Sequence, residues 1–189
     1  AGLELDALRE ALAGLAVRDW KLNAEKIVAG GLAATRVIVS VSDDTRERTF
    51  AELDALIGSS KLDNETKQNA ARIVRRIAET EARLHNTSIE NTPLHELGGL
   101  DTLIDVVGTV AGFKLLQVEE IFVSALPFGR GTVNARHGTL PLPAPAVAEL
   151  ARGVPIRAVD IEAELVTPTG AAILTTLARG FDPFPRMTL

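Results

Sequence analysis

Cysteine and tyrosine are absent from this 189-residue chain, and aromatic residues make up only 4% of it. Without thiols there are no disulfides, no thiolate nucleophile and no cysteine-ligated zinc or iron–sulfur cluster. The scarcity of rings, with a net charge of -5 from 25 acidic against 20 basic residues, argues against the basic, ring-studded surface of a nucleic-acid binder. No apolar run approaches the ~20 residues that a bilayer span needs, and no signal peptide is discernible. A cytoplasmic location, with neither nucleic acid nor membrane as partner, is the simpler expectation. Two further absences are local. All nine prolines fall at or after Pro93, and no Asp or Glu occurs from Ile121 to Ala148.

What is present suits a folded α+β protein. An apolar content of 46% can fill a core. The proline-free half reads as helical, and the second half as punctuated and loop-rich. The irregular stretch from Asn86 to Pro93 divides a helical N-terminal subdomain with a short β-hairpin (1–90) from an α/β subdomain (91–189). The expected fold is a set of amphipathic helices packed on a small mixed β-sheet.

Helical periodicity predicts helices over Leu3–Leu15, Asn64–His85 and Leu100–Leu116, and a short one over Pro145–Arg152. On the second of these, Ala70, Ile73, Val74, Ile77 and Leu84 form an apolar stripe; its arginines read as a solvated face paired with Glu79 and Glu81. Thr49 and Glu52 have capping-box spacing for a helix reaching about Ile57. Thr167-Pro168 is a cap and first-turn signal for a helix ending near Ala178. Alternation predicts strands at Arg36–Ser42, pairing with Glu25–Val28 across Gly30-Gly31, and at Val118–Ala125 and Ile161–Val166. Gly108 and Gly112, four apart, read as a place where another backbone comes close.

Three constellations can carry chemistry. The stretch from Pro127 to Pro145 holds Arg130, Arg136 and His137 among three glycines and four prolines. Such a stretch is no regular helix, so free N–H groups, two guanidiniums and an imidazole are available to a phosphate or carboxylate. The plain alternative is a proline-stiffened connection with its arginines in solvent. His95-Glu96, followed by Gly98-Gly99 and then Asp101 and Asp105 on one helix face, is a mixed N/O set for a divalent metal such as nickel. The alternative there is a helix-dipole aspartate, a solvated one and a hydrogen-bonded loop histidine. The turn Thr167-Pro168-Thr169-Gly170 places hydroxyls and free N–H groups at a helix N-terminus, suited to an anion or simply to a well-capped helix. His85, last on its helix, reads as a histidine favoured by the dipole. Zinc-protease, dinucleotide-binding and Walker-type phosphate-loop motifs are all missing.

The segments LHELGGLDTLIDVVG, LPFGRGTVNARHGTLPLPAPAVAELARGVP and ELVTPTGAAIL, in that order, resemble the LarC family of nickel-insertion proteins, in register from about Leu3 to Leu189. The resemblance implies nickel insertion into a pyridinium bis-thiocarboxylate mononucleotide, forming a carbon–nickel bond, by a cyclometallase of the lyase class. That reaction uses CTP with Mg2+ or Mn2+. It further implies that the chain corresponds to the N-terminal part of longer proteins, without the family's opening strand and Ser/Gly/Asp-rich turn and without its C-terminal CTP-binding domain. Partners would be the anionic mononucleotide, a CTP domain or subunit and, in a homo-oligomer, further copies.

Two departures from the family pattern remove nickel ligands. Pro93 stands at the first position of an HxHE motif, and Asp43-Asp44-Thr45-Arg46-Glu47-Arg48 replaces a histidine-rich tract. On this reading His95, Glu96, Asp101 and Asp105 are the metal candidates. Arg130, Arg136, His137, Thr167, Thr169 and Gly170 are the candidates for the mononucleotide. The rival readings are a non-catalytic nickel carrier and a phosphate-ligand enzyme unrelated to nickel.

Overall fold

The run from Ser59 to Thr92 contains neither proline nor glycine, and it forms the helix on which the rest is assembled. The structure is a computed structural model that describes residues 2–42 and 46–181; Asp43, Asp44 and Thr45 of the acidic replacement tract lie outside the described residues. In chain order the elements are α1 (Leu5–Leu12), β1 (Trp20–Ala29), β2 (Leu32–Val41), α2 (Phe50–Ser59), α3 (Asn64–Leu84), a 3-10 turn (His95–Gly98) and α4 (Leu100–Leu115). They continue with β3 (Leu126–Phe128), β4 (Thr132–Ala135), β5 (Gly138–Pro141), α5 (Pro145–Leu150), β6 (Ile156–Ala158) and α6 (Pro168–Leu177).

Helix α3 starts where the Asp63 side chain accepts hydrogen bonds from the N–H groups of Glu65 and Thr66, each at 3.1 Å. Its buried stripe of Ala70, Ile73, Val74 and Ile77 packs against α4, α6, α2 and α5. Leu84, expected on that stripe, is 43% exposed. Helix α4 carries α1 and β2 on its other side. One core cluster joins Leu12, Leu53 and Ile77 to Leu103, Val147 and Ala172, and so draws on both sides of residue 90. The capping box at Thr49 and Glu52 forms as the spacing predicts, and Thr167 caps α6 by accepting from the Gly170 N–H.

The α+β class holds, with the strands of the described residues divided among three two-stranded sheets rather than joined in one. β1 and β2 pair antiparallel, β3 and β6 parallel, and β4 and β5 antiparallel. Val118–Ala125 is not a strand; it makes an isolated bridge, Phe122 to Gly180, and pairing begins at Leu126. Ile161–Val166 is irregular too. Its chain folds over Gly129, where a Cβ would collide with the Ala163 carbonyl oxygen, and the Arg130 N–H donates to the Ile161 carbonyl at 2.9 Å. The hairpin β4–β5, by contrast, forms inside the stretch that glycine and proline mark as irregular. Gly138, at φ 90°, supplies the left-handed residue that turns the chain into β5.

The glycine pair in α4 meets side chains, not a backbone: Leu12 at 3.6 Å from a Cβ on Gly108, and Leu3 at 3.7 Å from one on Gly112. Close backbone approach occurs at Gly98, where a Cβ would stand 2.5 Å from the Arg48 carbonyl oxygen. The Arg48 N–H donates to the Gly98 carbonyl at 3.1 Å, which pins the segment before α2 against the 3-10 turn.

Asp63 also accepts from the Lys114 ammonium of α4 at 2.6 Å. That contact, followed by the Thr66 hydroxyl, holds its carboxyl well below the usual range. A depressed carboxyl contributes stability above the unfolded-state value of 3.8 and loses it as pH falls below that. Asp63→Ala is therefore expected to cost about 1 kcal/mol at neutral pH through the lost cap. The cost should shrink on acidification, as urea midpoints across the acid range would show.

Candidate metal centre

All three histidines of the chain meet at one place. Each supplies a ring nitrogen such that the three nitrogens lie within 4.8 Å of one another. The ring centroids are 5.0 Å apart for His85 and His95, 5.2 Å for His85 and His137, and 4.6 Å for His95 and His137.

Each ring is delivered by a chain terminus or turn. His85 is the C-cap of α3, and Asn86 follows at φ 50°. The Thr87 N–H donates to the Ala82 carbonyl at 2.9 Å and the Asn86 N–H to that of Arg83 at 3.3 Å, a Schellman closure that ends the helix there. His95 opens the 3-10 turn with φ 47°, and Gly98 anchors that turn against Arg48. His137 sits beside Arg136 in the two-residue connection between Ala135 and Gly138, at the hairpin tip.

The rings stand at a cavity of about 430 Å³ walled by Leu84, Leu94, Leu97, Val133 and Leu140. Glu81, Glu96 and Glu164 also line it, and among the described residues no Lys or Arg does. Glu81 is 6% exposed, and its carboxyl is pushed up to about 7, first by burial and then by the Glu96 charge, with His137 opposing. Its Oε2 lies 3.5 Å from His85 Nε2. Glu47 Oε2 lies 3.7 Å from His95 Nδ1, while Glu47 Oε1 pairs with the Arg136 guanidinium.

Burial, followed by the charges of His137 and His85, lowers the pKa of His95 and favours its neutral, metal-ligating form. Its Nε2 is buried without a hydrogen-bond partner among the described residues. A largely buried imidazole in that state, with the centroids of two other rings 4.6 and 5.0 Å away, is suited to a cation. Metal–imidazole bonds of about 2.1 Å put ligand nitrogens roughly 3–4 Å apart, within small side-chain rotations of the spacing here.

The sequence candidates divide between this centre and other surfaces. His95, Glu96 and His137 come together, and Arg136 is one carboxylate removed. Asp101 and Asp105 line a separate groove with Leu8, Leu12, Val37 and Ile104; there burial, and then Asp101, raises the pKa of Asp105. Arg130 is held by Asp160 at 2.5 Å and Glu162 at 3.4 Å and does not line the cavity. The acids of the neighbouring 160–164 segment thus answer the arginine of the carboxylate-free stretch. Thr167 is occupied as a cap, with Thr169 and Gly170 in the first turn of α6, and Pro168 reaches the cavity wall.

Sequence reasoning missed three residues. His85 read as a dipole-favoured terminus, Glu81 as part of a solvated face, and Glu47 as part of a tract that had lost its ligands. The available signal was the i, i+4 spacing of Glu81 and His85 at a helix end, in a chain with few other histidines.

The Glu81 carboxyl titrates near 4.5 when unfolded and about 7 when folded, so over that window the native state binds more protons and Glu81 costs stability as pH rises. His95 acts in the opposite sense below its unfolded value of 6.5. The readout is therefore the difference between proteins. Metal-free Glu81→Gln is expected to gain stability relative to wild type between about pH 5 and about pH 8 in denaturant titrations. A constant offset across that range would contradict the assignment.

Residues 1–189 match the family described as nickel insertion protein. A pyridinium-3,5-bisthiocarboxylic acid mononucleotide nickel insertion protein of Desulfitobacterium hafniense is 42% identical over 187 residues, covering 99% of this chain and 46% of that relative. A protein of the same name from Nocardioides sp. is 42% identical over 189 residues, covering 100% of this chain and 48% of its own length. The chain thus spans about half the length of the curated relatives it matches. No solved structure matches it. With a match over its whole length, the chain belongs to the nickel insertion protein family.

Proposed function

We propose that this chain holds nickel for insertion into a pyridinium bis-thiocarboxylate mononucleotide, the compound in the names of its relatives. The observation that carries the reading is the convergence of His85, His95 and His137, from three separate segments, at the mouth of an apolar cavity. Imidazole suits a borderline cation such as Ni2+, and three imidazole ligands leave further coordination positions facing the cavity. Thiocarboxylate sulfurs are softer donors than the acids around them, so transfer from the rings to the organic partner runs toward the better ligand set.

A planar pyridinium fits between the leucine walls, and the acidic lining suits its positive charge. As the carbon–nickel bond forms, the ring carbon gives up a proton. In this reading Glu81, a carboxylate lining the cavity, takes that proton. The phosphate lies outward, toward Arg136. In this reading the complete reaction consumes CTP with Mg2+ or Mn2+ at a site outside this chain, as a lyase-class cyclometallase of the cytoplasm, in a homo-oligomer.

A second reading, a nickel carrier without catalysis, draws support from the lack of a Lys or Arg in the cavity lining among the described residues. Binding of a pyridinium mononucleotide separates the two readings: a carrier binds nickel alone. The same lack weighs against a phosphate-handling enzyme unrelated to nickel.

Calorimetric titration with Ni2+ tests the centre. His85→Ala, His95→Ala and His137→Ala are each expected to weaken nickel binding roughly a hundredfold, about 3 kcal/mol. Arg130→Ala, whose partners are Asp160 and Glu162, is expected to leave it within about twofold, a few tenths of a kcal/mol. Unchanged affinity in the three histidine variants would refute the assignment.

A further inference from the structure

Glu47 has two neighbours with different chemistry. Its Oε2 is 3.7 Å from His95 Nδ1, and its Oε1 is paired with Arg136 Nη1. Its own side chain is 34% exposed, whereas that of His95 is 20% exposed and that of Arg136 is 49% exposed. The chain of contacts therefore runs from solvent inward: guanidinium, carboxylate, imidazole. His95 Nε2, on the far side of the ring from the nitrogen nearest Glu47, is buried and has no hydrogen-bond partner among the described residues. The 3.7 Å between Glu47 and His95 is too long for a hydrogen bond; closed to hydrogen-bonding distance, such a carboxylate fixes the tautomer and orientation of a histidine and raises the basicity of the other nitrogen, the one left for a metal.

The backbone holds this arrangement in register. The Arg48 N–H is bonded to the Gly98 carbonyl at 3.1 Å, so Glu47 is fixed beside the turn that begins at His95. Arg136 precedes His137 at the tip of β4–β5, so the residue that ties up Glu47 is the neighbour of another ring of the centre.

The geometry points to Glu47 as a positioning residue that couples anion binding at Arg136 to metal binding at His95. This inference rests on the nickel reading of the three-histidine centre. With Arg136 bound, the negative charge of Glu47 is shared between a guanidinium and the imidazole. An anionic group of the partner molecule, such as its phosphate, competes for the guanidinium as a bidentate acceptor. Glu47 is then left to His95 alone, and the ring becomes a stronger ligand. Anion and metal bind with positive cooperativity, and by linkage each strengthens the other to the same degree. Simple attraction between phosphate and metal would give the same sign but would not pass through Glu47.

Nickel titrations with and without saturating nicotinic acid mononucleotide, a pyridinium with a phosphate, separate the two. In wild type the mononucleotide is expected to tighten nickel binding about fivefold. Arg136→Ala frees Glu47 permanently, so it should tighten nickel binding without the mononucleotide and show no further response. Glu47→Gln should weaken nickel binding roughly tenfold and also lose the response. Glu47→Asp, which keeps the charge, should restore part of it, as a merely structural role would not. Wild-type-like responses in both Arg136→Ala and Glu47→Gln, or no response in wild type, would overturn the coupling. Nickel binding indifferent to all three histidine substitutions would instead overturn the metal-centre reading beneath it.

Discussion

Three imidazole rings with centroids 4.6 to 5.2 Å apart repel one another if all are protonated. Burial of His95, followed by the charges of His137 and His85 beside it, lowers its pKa and favours a lone pair over a charge at that ring. Much of the surrounding architecture follows from bringing the rings together. The Schellman closure ends α3 at His85, the Gly98 contact clamps the 3-10 turn beneath His95, and the β4–β5 hairpin carries His137 across the gap. None of the three rings lies in the middle of a regular element. The core of α3, α4, α5 and α6 supplies the rigid frame, and the element ends supply the chemistry, as is general for sites built on compact scaffolds.

Around the rings the charge is negative, although the loop that delivers His137 has no acids of its own. Glu81, Glu96 and Glu164 reach the cavity from α3, from the 3-10 turn and from the segment before α6. Buried Glu81 carries much of the tension, because Glu96 and desolvation both disfavour its charge. A divalent cation at the histidines would relieve that tension and draw the carboxyl back toward ionisation. The two arginines of the loop meanwhile divide. Arg130 is neutralised by Asp160 and Glu162, and Arg136 by Glu47. Of the two, Arg136 has a partner that also touches the metal centre.

Residues with strong local signals were legible in the sequence. The Thr49–Glu52 capping box, the Thr167-Pro168 start of α6, the Gly30-Gly31 turn and the limits of α3 and α4 all lie within a residue or two of expectation, because caps and turns are short-range devices, whereas β1 and β2 begin five and four residues before the stretches expected of them. The strands of the second half were not legible. β3 and β6 are three residues each and depend on each other across a long separation, and β4–β5 forms within a stretch whose glycine and proline content argues for a loop. The site divided in the same way. His95 and His137 stand in recognisable motifs, whereas His85, Glu81 and Glu47 join the candidate site through contacts with segments tens of residues away. Asp101 and Asp105 show the converse: helical spacing puts them near one face of α4, and that face borders a different groove.

X-ray absorption spectroscopy of the nickel-loaded protein addresses the central claim most directly, because outer-shell scattering counts imidazole rings on the metal. The account predicts three imidazole nitrogens in the absence of the organic partner, with light oxygen donors completing the coordination sphere. A nickel site coordinated by oxygen alone, with no imidazole scattering, would contradict it.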